Sequence, residues 1–312
     1  MSKKRILLTG GAGFVGSVLA RHLVHAGHDV HLVLKSSSGK WRIADLFDDL
    51  QTHEADLRDE DSIKRAVNEI KPEVIYHLAT HGAYSSQNDS EAILQANFYG
   101  TWNLLKASAS TDYEVFANTG SSSEYGFKDE AMRESDLLEP NSYYAVAKCG
   151  QSLLCQHFAR AHKKPVTTFR LFSAYGPYEE PTRLVPTLIK RTRRGEPLDL
   201  VPKDVARDFI FVDDVVDAYT RFDALSKLSG EIINIGSGVQ STIEDVVSAV
   251  FAAAGTTVEC HWGAMPARMW DAKTWVADCS KSKRLLGFRA RTELRQGMVA
   301  TVRFFGQEHD GH

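Results

Sequence analysis

The chain has 312 residues, 43% of them hydrophobic and 25% charged, and a formal net charge of −3. That length accommodates one large α/β domain with a smaller lobe, or two domains. The balanced charge gives no electrostatic reason to expect a nucleic acid or an anionic membrane as partner. Cys149, Cys155, Cys260 and Cys279 form neither a C-x-x-C pair nor a zinc spacing with histidine. They read as free thiols of a reducing cytosol, and no metal site is expected.

The first apolar run, Ile6–Leu8, breaks at Thr9 and the glycines. It is too short for a signal-peptide core or a bilayer span, which points to a cytoplasmic protein. Arg5–Thr9 reads as a buried strand, Val15–Ala26 as a helix and Val30–Leu34 as the next strand. Ser62–Ile70 has helical spacing, Val74–Leu78 is a strand, Glu91–Ser108 a helix and Glu114–Asn118 a strand. Tyr143–His162 is again helical and Val166–Leu171 rich in β-formers. Strands separated by helices of this length imply βαβ units and a parallel sheet covered on both faces.

The character changes near Arg170. Pro177, Pro181, Pro186, Pro197 and Pro202 interrupt the pattern, and residues 183–194 are basic. A strand is expected at Phe209–Val212, a helix at Asp213–Leu225, a short strand at Glu231–Asn234 and a helix at Thr242–Ala254. The expected architecture is α/β: a Rossmann-type doubly wound parallel sheet over residues 1–170 and a smaller C-terminal α/β substrate-binding lobe over 171–312. Residues 207–236 are expected to return to the first domain, with the ligand held between the two.

The first strand runs into Thr9-Gly10-Gly11-Ala12-Gly13-Phe14-Val15-Gly16. Glycine permits the tight turn, the approach of backbone to a pyrophosphate and close packing of helix on strand; the helix N-terminus then offers N–H groups to the anion. Gly10, Gly13, Phe14, Val15 and Gly16 are therefore cofactor-binding candidates. An NAD site usually ends its second strand in a carboxylate that binds the ribose 2′-hydroxyl. Here that strand ends in Lys35 and Ser36, with Lys40 and Arg42 beyond. A cation and hydroxyls suit a 2′-phosphate, so NADP(H) is expected over NAD(H), unless Lys35 is only a solvated surface lysine.

Tyr144 and Lys148 stand i, i+4 on one helical face. An ammonium beside a phenol favours phenolate and tunes the group for proton transfer. Alone, in an arbitrary chain, the pair is better read as a packed tyrosine beside a solvated lysine. Upstream, Thr119–Gly126 begins where the fourth apolar strand ends, the end that faces the ligand crevice in a doubly wound sheet, and a serine there can hydrogen-bond the reacting oxygen.

With these motifs in place the chain resembles the extended short-chain dehydrogenase/reductase family, in its nucleotide-sugar epimerase/dehydratase/reductase branch, over nearly its whole length. Thr9–Gly16 matches T-G-x-x-G-x-x-G. Ser121, four residues before Tyr125-Gly126, matches the catalytic Ser/Thr, and Tyr144 with Lys148 the Y-x-x-x-K. Asp56-Leu57, His77-Leu78-Ala79 and Asn97 match further cofactor positions. Arg170–Pro177 and Arg207–Val215 resemble R-x-F-N-x-Y-G-P and R-D-F-I-H-V-D-D-V.

The resemblance implies that Tyr144 is the acid/base on the sugar oxygen, that Lys148 lowers its pKa and holds the nicotinamide ribose, and that Ser121 orients the same oxygen. It places Asp56, Leu57, Leu78, Ala79 and Asn97 at the cofactor. Arg207 and Arg268 are expected at the diphosphate of the sugar nucleotide, Arg268 having the alternative of plain surface charge. His81, Ser122, Ser123, Ser173 and Arg183 complete the substrate-binding candidates, His81 with the equal alternative of packing. A homodimer is implied, with Glu91–Ser108 and Tyr143–His162 pairing across a two-fold axis into a four-helix bundle. Ile93, Leu94, Leu104, Leu105, Leu153, Leu154 and Phe158 serve that bundle or the core.

The chain departs from the pattern in four places. Dehydratases of the family carry an acid pair directly after the catalytic Thr; here Ser122 and Ser123 stand there. Glu124 comes one step late, on the far side of a segment expected to be extended. The Asn of R-x-F-N is Ser173, and the His of R-D-F-I-H is Phe211, expected only to pack. The NADP(H) preference read from Lys35 and the missing acid pair favour a reductase, delivering hydride from NADPH to the C4 ketone of a nucleoside-diphosphate 4-keto-6-deoxysugar. The alternative is a nucleotide-sugar 4-epimerase with tightly bound NAD(P). A 4,6-dehydratase and a non-catalytic dinucleotide-binding scaffold rank lower.

Overall fold

The expected alternation is realised in the first half as β1 (Arg5–Thr9), α1 (Phe14–His25), β2 (Asp29–Leu34), β3 (Gln51–Glu54), α2 (Glu60–Ile70), β4 (Val74–His77), α3 (Ser90–Leu94), α4 (Gly100–Ser108), β5 (Val115–Ser121), α5 (Tyr143–His162) and β6 (Val166–Leu171). The computed structural model describes residues 3–84, 87–265 and 272–307. Two units divide the chain: Met1–Gly126, Leu137–Leu171 and Val216–Ile233 form the first, and Phe127–Asp136, Phe172–Val215 and Asn234–His312 the second.

The first unit is a Rossmann-type layer structure. Its sheet runs in the order Glu231–Ile235, β6, β5, β4, β1, β2, β3. β1 pairs in parallel with β2 and β4, β2 with β3, β4 with β5, and β5 with β6. The chain reverses its direction of travel between β1 and β4, which makes their carboxyl ends the topological switch point where ligands bind in such sheets. Register sets Thr9 beside His77, His77 beside Asn118 and Asn118 beside Thr168, so four polar residues form one row across four strands. Beneath them Leu7, Ile63, Val67, Ile75, Leu104, Leu105, Phe116 and Phe158 form one apolar cluster.

Helix ends follow local chemistry. Asp59 accepts hydrogen bonds from Asp61 and Ser62 and starts α2, which stops at Lys71 in the left-handed region at φ 47°. Ser142 accepts from Ala145 and starts α5, which stops at Lys163, φ 53°. Glu91–Ser108, expected as one helix, carries a π turn at Gln95–Tyr99 between α3 and α4; such turns are frequent at functional sites. β3 and the 3₁₀ stretch Trp41–Asp49 had no expectation. β3 is an edge strand with mostly exposed side chains, so it need not be apolar.

In the second unit Ala206–Phe211 pairs antiparallel with Gln240–Thr242 and parallel with Ser173–Tyr175. Cys260–Trp262 pairs with Leu198–Leu200. Helices Leu184–Arg194 and Ile243–Ala254 share a core with Tyr175, Phe211 and Met298 of the helix Leu294–Gln307. Leu184–Arg194 was expected only as a basic stretch. Pro186 sits in its first turn, where a missing N–H costs no intrahelical bond. Among the described residues no helix is long and apolar enough to cross a membrane.

Candidate active site

The glycine turn is demanded by its surroundings. Gly10 has φ +73°, and a Cβ there would stand 2.5 Å from Ala79 N and 2.6 Å from Leu78 C. A Cβ on Gly16 would stand 2.1 Å from Gly10 O. Only glycine allows β1 to turn against the end of β4 while α1 packs down on the turn. Gly13 precedes α1, donates its N–H to Gly10 O at 3.0 Å, and leads into half-buried Phe14 and Val15. The first-turn N–H groups of a helix have no intrahelical acceptor and suit a diphosphate.

Lys35 and Ser36 are exposed in the turn after β2. With Ser37, Asp56 and Arg58 they line a concavity of about 280 Å³. Arg58 chelates Asp56, with Nη2 at 2.6 Å from Oδ2 and Nε at 3.1 Å from both oxygens. That pairing, and Lys35 beyond it, hold the Asp56 carboxyl below its usual range. Leu57 presents its carbonyl to Asn103. Asn97 is buried in the π turn, and its amide braces the loop after β4: Oδ1 accepts from Thr80 Oγ1 and His81 N, and Nδ2 donates to His81 O at 2.7 Å. Leu78 and Ala79 therefore face the glycine turn directly, whereas Asn97 acts on that loop. His81 is half-buried, and desolvation, Lys35 and Arg58 lower its pKa.

Ser121 ends β5, Tyr144 lies in the first turn of α5, and Lys148 is one turn further on. Ser121 Oγ accepts from Ser123 N at 3.1 Å and donates to Ser123 Oγ at 3.0 Å. Tyr144 is half-buried; a Cβ on Gly82 would touch its ring at 3.4 Å, so the loop braced by Asn97 runs beside it. Lys148 is 1% exposed. Its Nζ stands 5.9 Å from the Tyr144 ring centroid and donates to Thr119 O at 2.8 Å and Gln151 Oε1 at 2.9 Å. Burial lowers its pKa to about 8.

The expectation of an extended segment at Glu124 is corrected. Ser122–Tyr125 is a 3₁₀ turn with Ser121 as cap, and Glu124 is fully buried. Its Oε1 accepts from Ser121 N at 2.8 Å and Ser152 Oγ at 2.9 Å, and its Oε2 accepts from Arg170 Nε at 2.7 Å. Arg170 of β6 is itself buried beside Gly120, and the buried guanidinium calls for a counter-charge. Glu124 thus holds the backbone of Ser121 from behind. Ser122 is buried and Ser123 half-buried, and Ser123 supports the Ser121 hydroxyl.

The remaining substrate-side candidates lie in the second unit. Ser173 is half-buried opposite Phe209, and Arg183 is exposed at the start of helix Leu184–Arg194. Arg207 lies 5.0 Å over the Trp275 ring and donates to Ala206 O. Phe211 packs edge-on to Tyr175 at 5.7 Å. Arg268 lies outside the described residues. Among those residues no cluster of histidine, cysteine and carboxylate suits a metal ion. Two residues were not anticipated. Asp208 is buried and accepts from Ser237, Gly238 and Ala277. Gln151 touches Lys148; its position three residues after the lysine, on the same helical face, was the available signal.

Residues 6–236 match the NAD dependent epimerase/dehydratase family. A UDP-N-acetyl-alpha-D-glucosaminuronate decarboxylase of Bacillus cytotoxicus is 31% identical, over 97% of this chain and 98% of its own. The UDP-glucose 4-epimerase of Thermotoga maritima, solved with UDP-glucose, superposes with a TM-score of 0.89 at 28% identity, covering 97% of this chain and 98% of its own. The UDP-glucuronic acid 4-epimerase of Bacillus cereus, solved with UDP-glucuronic acid and NAD, gives 0.85 at 26% identity, covering 97% and 99%. The glycine turn at the switch point, the Ser121, Tyr144 and Lys148 set and these matches converge: the chain is an enzyme of the extended short-chain dehydrogenase/reductase type and belongs to the NAD dependent epimerase/dehydratase family.

Proposed function

We propose that this chain is a UDP-sugar 4-epimerase that keeps its nicotinamide dinucleotide through the catalytic cycle. The observation that carries the reading is Tyr144 one helical turn from the buried ammonium of Lys148, in a chain similar to the two solved UDP-sugar 4-epimerases described above. The reductase expected first from Lys35 and the missing acid pair takes second place, because none of these three relatives is described as one.

The residues present fit a dinucleotide: Gly10 and Gly16 let the turn pack closely against the end of β4 and the start of α1, and the first-turn N–H groups of α1, which have no intrahelical acceptor, suit its diphosphate. When bound, that group supplies reversible hydride acceptance. The chain's own residues manage the proton. Tyr144 Oη takes it from the sugar 4-hydroxyl as C4 is oxidised and returns it as C4 is reduced on the other face. Lys148 favours the phenolate, and Ser121, held by Glu124 and Ser123, orients the reacting oxygen. Arg207 holds the diphosphate, with Ser173, Arg183, His81, Ser122 and Ser123 as further substrate-side groups; a guanidinium fork suits phosphate. In the direct test, UDP-hexose epimers are incubated with the protein and separated. Interconversion without net change in nicotinamide absorbance supports the reading. Stoichiometric NADPH loss on a 4-keto sugar returns the reductase.

Lys35 and Ser36, with no carboxylate at the end of β2, support NADP(H) as the cofactor; the Bacillus cereus neighbour is described with NAD, so the preference rests on those two side chains. A homodimer is supported by apolar groups left exposed on the expected helices, Tyr99, Trp102, Tyr143, Val146 and Leu153, whereas Ile93, Leu104, Leu105 and Phe158 are core. Light scattering at micromolar concentration tests it, and a monomer rejects it.

A further inference from the structure

The polar row of the sheet continues into the helices above it, and the hydrogens can be assigned one by one. Thr101 Oγ1 donates its only hydrogen to Asn97 O. It must therefore accept from His77 Nε2, at 2.8 Å, and from Gln151 Nε2, at 2.9 Å. His77 is then an Nε2–H tautomer, and its Nδ1 accepts from Thr9 Oγ1 at 2.7 Å. Complete burial, with Lys148 nearby, lowers the His77 pKa to about 3, so the ring stays neutral in that tautomer. The second hydrogen of Gln151 Nε2 goes to Asn118 Oδ1 at 2.8 Å, and Asn118 Nδ2 goes to Thr168 Oγ1 at 3.1 Å. Turned over, the Gln151 amide would set its NH₂ against the ammonium of Lys148 and its carbonyl against the spent oxygen of Thr101. Only one orientation satisfies every group, and it aims Oε1 at Lys148 Nζ, 2.9 Å away.

We propose that Gln151 is a positioning residue for the reaction: Thr101 and Asn118 lock its amide, and its carbonyl, with Thr119 O, fixes the Lys148 ammonium while leaving its charge unopposed. The proposal rests on the catalytic reading of Tyr144 and Lys148. A glutamine does here what a glutamate cannot. A carboxylate at 2.9 Å would hold the ammonium as well but would cancel its effect on the phenol. The titratable groups facing Lys148 are Tyr144 and Cys155 on its own helix, His77 on β4, and Glu124 in the 3₁₀ turn after β5. Glu124 is paired with Arg170 of β6, so the strongest anion near Lys148 is already committed. The same network ties Lys148 back to Thr9, the residue before the glycine turn, and to Asn97, which braces the loop beside Tyr144.

The test compares Gln151→Glu and Gln151→Met with the wild-type enzyme, reading kcat and KM across pH together with melting temperature, and uses Tyr144→Phe as reference. Gln151→Glu should move the acid limb of kcat/KM upward by about one pH unit or more, because the phenol loses the help of an unopposed cation. Gln151→Met, of similar volume and uncharged, should lower kcat by roughly 10–100-fold with KM little changed, and it decides the matter where the charged variant does not fold. Wild-type kcat for Gln151→Met, or a Gln151→Glu profile that superposes on wild type, overturns the proposal. Undiminished turnover by Tyr144→Phe overturns instead the catalytic reading on which it rests.

Discussion

Beneath Lys148 the side chains of Gln151, Thr101, His77 and Asn118 are buried and bonded to one another, whereas Lys35 and Ser36 stand exposed at the rim of an open concavity. In the first region each polar group is part of the fold, because an unmet buried donor or acceptor costs the full desolvation of that group. In the second, water can replace any lost contact. Substitutions beneath Lys148 should therefore disturb chemistry and stability together, and substitutions at the rim should change ligand preference and leave the fold alone.

The largest effect is expected at the phenol itself. Tyr144→Phe should lower turnover by about 10³-fold, the scale of a lost acid/base group, with dinucleotide binding by calorimetry unchanged. Unchanged turnover would reduce the buried region to scaffolding. Glu124→Ala comes next. It strands the buried Arg170 guanidinium and should cost about 3–5 kcal/mol of stability in denaturant unfolding; a loss indistinguishable from zero would mean that water reaches Arg170 and that the region is less closed than described.

The pH dependence is more moderate. With Lys148 near 8, turnover should fall as pH rises past about 8 and the ammonium is lost. The native state gives up this proton before the unfolded chain, whose lysine titrates at 10.5. The cost of burying the charge is thus fully present below pH 8 and shrinks as pH rises toward 10.5. A flat rate profile across that window would separate Lys148 from the chemistry. The smallest effect belongs to the rim. Lys35→Asp should swing relative NADP(H) and NAD(H) affinities toward NAD(H) by roughly tenfold, about the scale of one charge contact, with no change in melting temperature. Equal titration of both cofactors by the wild type would remove the assigned role of Lys35.

What was legible in the chain follows the same division. α5 was read with both its ends, because helical periodicity runs over the whole of Tyr143–His162. The glycine turn was legible because three close approaches leave no other residue type. The edge strand β3 and the 3₁₀ stretch Trp41–Asp49 were not, since neither needs an apolar run. Helix Leu184–Arg194 was masked by Pro186, whose place in the first turn a pattern does not reveal. Tyr144 and Lys148 were visible as a spacing. Gln151 had only its spacing from Lys148 to mark it, and Glu124 only its place after Ser121; the contacts they make are set by Thr101, Asn118 and Arg170 on other elements.

In the proposed epimerase a hydride leaves sugar C4 and returns to the same carbon. A UDP-hexose carrying deuterium at C4 tests it most directly. Retention of the label at C4 of the epimeric product is the predicted result; its appearance in solvent or in released nicotinamide would rule out this hydride path.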